Sequence, residues 1–93
     1  MVGREIVLFK NEEKMSASEA AKLLRKIAKK IEAGEIVLEQ GKKAVNLSIP
    51  SQLEVQIKAE KETGRKKTTM KLEVELEWPL GGTKKTVDPM KIR

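Results

Sequence analysis

The chain has no histidine, no cysteine and no tyrosine, and Asp88 is its only aspartate. Each absence removes a class of chemistry. Without cysteine there are neither disulfides nor thiolate metal sites, which fits a reducing compartment. Without histidine, Ser16, Ser18, Ser48 and Ser51 have no imidazole to activate them, and acid–base work falls to Glu and Lys alone. Aromatic residues are reduced to Phe9 and Trp78, so no row of rings is available for stacking nucleic-acid bases. No apolar run approaches the roughly 18 residues of a transmembrane helix. The N-terminus also lacks the basic start and apolar stretch of a signal peptide. The expectation is a cytoplasmic protein with no catalytic residues, no metal ligands, no cofactor, no membrane partner and no small-molecule substrate. Asn46-Leu47-Ser48 matches a glycosylation sequon, but without secretion it reads as part of a strand.

What is present points to a single small α+β domain. Ninety-three residues, 39% hydrophobic and 37% charged, suit one soluble unit with a modest aliphatic core. From Lys71 to Trp78, apolar Leu72, Val74, Leu76 and Trp78 alternate with Lys71, Glu73, Glu75 and Glu77. That period of two marks a β-strand with one face buried and one wet. Such a sheet needs a covering layer, and residues 17–33 supply a helix. Ser16 and Glu19 form a capping box, with Met15 and Ala20 at the staple positions. Ala20, Leu23, Leu24, Ile27, Ala28 and Ile31 make one stripe. Gly34 sits where a left-handed cap belongs, and Lys29 and Lys30 complement the carbonyl end of the helix dipole.

Further strands are expected at Ile6–Lys10, and at Ile36–Leu38 and Val45–Ile49 around a Gln40-Gly41-Lys42-Lys43 hairpin closed by Pro50. Another runs from Leu53 to Glu60, and Thr63-Gly64-Arg65 turns it into the Trp-ended strand. The order is β-α-β-β-β-β. The expected architecture is two-layer, with the helix on a mainly antiparallel sheet of about five strands. Its expected core is Leu23, Leu24, Ile27, Ile31, Val45, Leu47, Val55, Ile57, Leu72, Val74, Leu76 and Trp78. Opposite charges favour facing positions, which selects a register for the last hairpin. Lys58 then faces Glu73, Glu60 faces Lys71, Ile57 faces Val74 and Leu53 faces Trp78, with Glu54 against Glu77 as the cost. The domain spans residues 1–79. Residues 80–93 read as a basic, flexible tail.

Several of these features resemble the amphi-Trp domain family of small bacterial and archaeal proteins. The matching residues are Met15-Ser16, Glu19-Ala20-Ala21 and Leu23-Leu24, then Glu32-Ala33-Gly34, Pro50 and the closing Leu72-Glu73-Val74-Glu75-Leu76-Glu77-Trp78. The resemblance covers roughly residues 5–79 and leaves the tail outside. It implies a small α+β domain and no activity.

Three constellations remain to be weighed. Glu73, Glu75 and Glu77 share a strand face at about 6.5–7 Å spacing, near the carboxylate separation of inverting glycosidases. A chain this short has little mass for a sugar cleft, so a solvated face partnered by Lys58 and Lys71 accounts better for them. Gly82-Thr83-Lys84 echoes the end of a phosphate-binding loop but lacks its full spacing and the helix after it. Trp78 reads as the edge of a core or as an aromatic anchor for a partner.

The net charge is +6, carried by the helix and the tail while the rest sums to zero. Lys22, Arg25, Lys26, Lys29 and Lys30 lie opposite the apolar stripe along about 12 Å of helix, and Lys84 and Lys85 add to them from the tail. Such a row could track the phosphates of a nucleic acid without reading sequence. An ordinary solvated helix face explains the same charges. The leading expectation is a non-catalytic interaction module that binds a protein partner or itself through a sheet edge. The alternative is weak, sequence-independent nucleic-acid binding through the basic helix face and tail.

Overall fold

The computed structural model describes residues 3–80. The order is α1 (Ala17–Ala33), β1 (Glu35–Gln40), β2 (Lys43–Ser48), β3 (Glu54–Thr63) and β4 (Thr68–Glu77). The chain divides into two compact units, Met1–Ser51 and Gln52–Arg93. The expected flexible tail, with Lys84, Lys85 and the Gly82-Thr83-Lys84 motif, lies outside the described residues.

In the first unit, the helix begins and ends where local chemistry dictates. The Ser16 Oγ accepts the Glu19 N–H at 3.0 Å, and the Ser16 N–H donates back to Glu19 Oε1 at 3.1 Å. Both are donors that a helix start otherwise leaves unpaired. At the other end Gly34 adopts φ 88°, and its N–H donates to the carbonyls of Lys30 and Ile31 at 3.0 and 3.1 Å. The Gly34 carbonyl then accepts from the Ile49 N–H at 2.8 Å. One glycine thus closes the helix and joins it to the end of the following hairpin. Ser16→Ala is expected to lower unfolding free energy by about 1 kcal/mol, read from the urea midpoint at unchanged slope. An unchanged midpoint would mean that the box adds nothing beyond solvation.

β1 and β2 pair antiparallel, with Ile36 opposite Leu47 and Leu38 opposite Val45. Their two-residue turn has Gly41 at φ 62° and no positive φ at Lys42, the arrangement of a turn that requires glycine first. Helix α1 contacts β1. Ile27, Ile31, Ile36, Leu38, Val45, Leu47 and Ile49 are half-buried, whereas Leu23 and Leu24 remain exposed.

The second unit is a hairpin of two ten-residue strands. Its register sets Lys58 against Glu73, Glu60 against Lys71 and Ile57 against Val74, as the opposite charges favour, with Glu54 against Glu77 as the cost. The Gly64 N–H donates to the Lys67 carbonyl at 2.8 Å and closes the four-residue loop.

Three expectations need correction. Ile6–Lys10 forms no strand: the run has β propensity but no ladder partner among the described residues, and a strand exists only with a partner edge. Among the described residues the strands therefore number four, in two antiparallel pairs, β1–β2 and β3–β4, rather than five in one sheet. The expected core is not closed either, since no described residue is fully buried. A two-stranded ribbon has no second layer of its own, so Val55, Ile57, Leu72 and Val74 stay exposed. Leu76 and Trp78 are half-buried.

Candidate functional site

Alternation gives the β3–β4 hairpin two unlike faces. Val55, Ile57 and Ala59 lie opposite Leu76, Val74 and Leu72, with Met70 opposite Lys61. This apolar face is open: Ile57 is 69% exposed, Met70 70% and Leu72 72%. The reverse face carries a four-membered ion network. Lys58 Nζ lies 3.6 Å from Glu60 and 3.7 Å from Glu73, while Lys71 Nζ lies 3.8 Å from Glu60 and 4.0 Å from Glu73. All four side chains are about half exposed, so the network fixes register more than it adds stability. Glu73 thereby lies within reach of two lysines. Glu75 and Glu77 face Gln56 and Glu54 instead.

Charge is also sorted along the hairpin, a feature that the charge balance of the sequence conceals. Lys61, Arg65, Lys66 and Lys67 gather with Glu62 at its tip, whereas Glu54, Glu75 and Glu77 occupy its stem. The two groups cancel when summed, yet they sit at opposite ends of a ribbon about 30 Å long. The consecutive Arg65-Lys66-Lys67 directly after Gly64 was the signal in the sequence.

Trp78 ends this hairpin half-buried, beside a shallow 420 Å³ pocket that it lines with Gln52, Leu53, Glu54, Glu77 and Pro79. Leu53, its expected facing residue, shares that pocket and is also half-buried.

On α1, Lys22, Arg25, Lys26, Lys29 and Lys30 are all exposed. They do not form one uniform row, because Lys26 and Lys30 border a 470 Å³ groove lined by Phe9, Leu23, Ile27 and Ile36. Glu13 and Glu39 line the same groove. Lys22, Arg25 and Lys29 remain on the outer side.

Among the described residues, no helix is long and apolar enough to cross a membrane. No cluster of three acidic side chains there has the geometry to hold a metal ion.

No curated protein and no solved structure matches the chain. The model of the Amphi-Trp domain matches residues 2–93, so the family pattern runs through the basic segment that the resemblance had left outside. With its helix cap, amphipathic closing strand and terminal Trp78 in that frame, the chain belongs to the Amphi-Trp domain family.

Proposed function

We propose that the protein is a non-catalytic interaction module that associates with a second copy of itself through an edge of the β3–β4 hairpin. What supports this reading is a long edge guarded by side-chain charge alone. The ten residues of β4 contain no proline and no bulge, and among the described residues their partners are confined to β3. Natural proteins usually blunt such an edge, because its free N–H and C=O groups template pairing with another strand. The absence of histidine, cysteine and tyrosine leaves little from which to assemble a reaction centre.

Contact with nucleic acid is the second reading, and the exposure of Lys22, Arg25 and Lys29 on one helix side favours it. One sedimentation experiment separates the two. Self-association predicts a mass that rises with protein concentration from the low micromolar to the near-millimolar range, with no added ligand. Nucleic-acid contact predicts co-sedimentation with a short DNA duplex that fades steeply as salt rises. A monomer at every concentration would overturn the first reading. A duplex that sediments alone at low salt would overturn the second.

A further inference from the structure

We infer that two copies of the chain pair antiparallel along β4, with Leu72 facing the second copy's Leu72 on a two-fold axis. The inference rests on the self-association reading and specifies the edge, the register and the occupant.

The backbone selects what is offered. Inter-strand hydrogen bonds alternate between bonded and non-bonded pairs in an antiparallel ladder. The bond from Gly64 N–H to the Lys67 carbonyl sets that alternation for the hairpin. The bonded pairs are then Glu62/Thr69, Glu60/Lys71, Lys58/Glu73 and onward. The N–H and C=O groups of Met70, Leu72 and Val74 consequently point to the outer edge of β4, where no partner strand lies among the described residues.

Charge selects the register. A two-fold interface must complement itself, because every contact occurs twice. With Leu72 on the axis, Lys71 faces the second copy's Glu73 and Glu73 faces the second copy's Lys71. Glu77 meets the second copy's Lys67, and Glu75 faces Thr69. Val74 lies opposite Met70 and Leu76 opposite Thr68, so the apolar face also stays in register. The charged pairs fall at non-bonded positions, where side chains approach most closely. Sliding by two residues in one direction puts Lys71 against Lys71 on the axis, and in the other direction Glu73 against Glu73. A slide of one residue sets the apolar face against the polar one. Pairing β3 with its own copy matches Lys58 to Glu60 but places Ile57 against Lys61. The β4 edge alone satisfies charge and face together.

The sorting of charge along the hairpin acts in the same sense. Antiparallel pairing brings the basic tip of one copy beside the acidic stem of the other at both ends. Thr68/Leu76, Met70/Val74 and Leu72/Leu72 would together exchange about ten backbone hydrogen bonds, the number typical of a stable protein interface. The result is a four-stranded sheet, β3-β4-β4-β3, with an apolar face continuous across the axis.

Because the chain has no cysteine, the axis can be located by single substitutions in the full-length protein. Lys71→Cys, Leu72→Cys, Glu73→Cys and Val74→Cys each place a thiol on the axis of a different register. A bonded pair has Cα atoms about 5.5 Å apart, within the reach of a disulfide. Oxidation under mild conditions should give covalent dimer from Leu72→Cys at least about tenfold faster than from its neighbours. A maximum at residue 71, 73 or 74 would overturn the register. Slow cross-linking at all four positions and at Met70→Cys, in a parent chain that sediments as a dimer, would overturn the β4 edge while leaving self-association standing. A monomeric parent chain would overturn both.

Discussion

Leu72→Lys should weaken self-association by at least about tenfold, or ~1.4 kcal/mol, while leaving the monomer folded. Leu72 is 72% exposed, and a substitution at such a surface position ordinarily shifts stability by no more than about 0.5 kcal/mol. On the axis of the proposed pair the same change sets two ammonium groups against each other, since each copy contributes one. Like charges directly opposite on adjacent strands are destabilising, and the lost contact between the two leucines adds to the effect. Sedimentation equilibrium reads the association, and a urea titration of the dilute protein reads the monomer. Unaltered association would remove Leu72 from the interface. A large loss of monomer stability would show that the side chain is covered within its own chain.

The largest loss of stability is expected at Gly34. A side chain at φ 88° lies in the left-handed region, which costs an L-residue about 1–2 kcal/mol and is worst for β-branched residues. Crowding is not the cause, because an added Cβ would meet only the Ile49 carbonyl oxygen at 3.7 Å, an ordinary contact. Gly34→Val should therefore lower the unfolding free energy by about 2 kcal/mol, equivalent to a fall in Tm of roughly 8–16 °C for a domain of this size. Gly34→Asn should recover much of the loss, since asparagine tolerates the left-handed cap. Equal losses for Val and Asn would point to the Ile49 contact instead of the backbone angle.

Elements whose determinants lie close together in the sequence were the legible ones. The bounds of α1 follow from Ser16, Glu19 and Gly34, each acting within three or four residues of its target. The β3–β4 register follows from Lys58, Glu60, Lys71 and Glu73, because a slip would oppose like charges. Ile6–Lys10 failed as a strand because propensity belongs to a segment while a ladder belongs to a pair. Alternation in Val55–Ala59 and Leu72–Leu76 revealed which side chains share a face, but it does not say what covers that face. The same limit applied to charge. A sum over the segment between helix and tail hid the separation of Arg65, Lys66 and Lys67 from Glu54, Glu75 and Glu77, which becomes visible only once the hairpin is drawn. Trp78 was placed at the end of its strand, and its half-buried position is consistent with either role considered for it.

Among the described residues every strand pairing joins sequence neighbours, through a two-residue turn at Gly41 and a four-residue loop at Gly64. Loop closure over such short spans costs little entropy, and hairpins and helices form on the microsecond scale, about 1–10 μs for a hairpin. Each pairing is local to its own unit. During synthesis, α1 can cap and the β1–β2 ladder can close before β4 has been translated. β4 completes its hairpin only after β3 has been made, so in the proposed pair the contact between copies would follow hairpin closure within each copy.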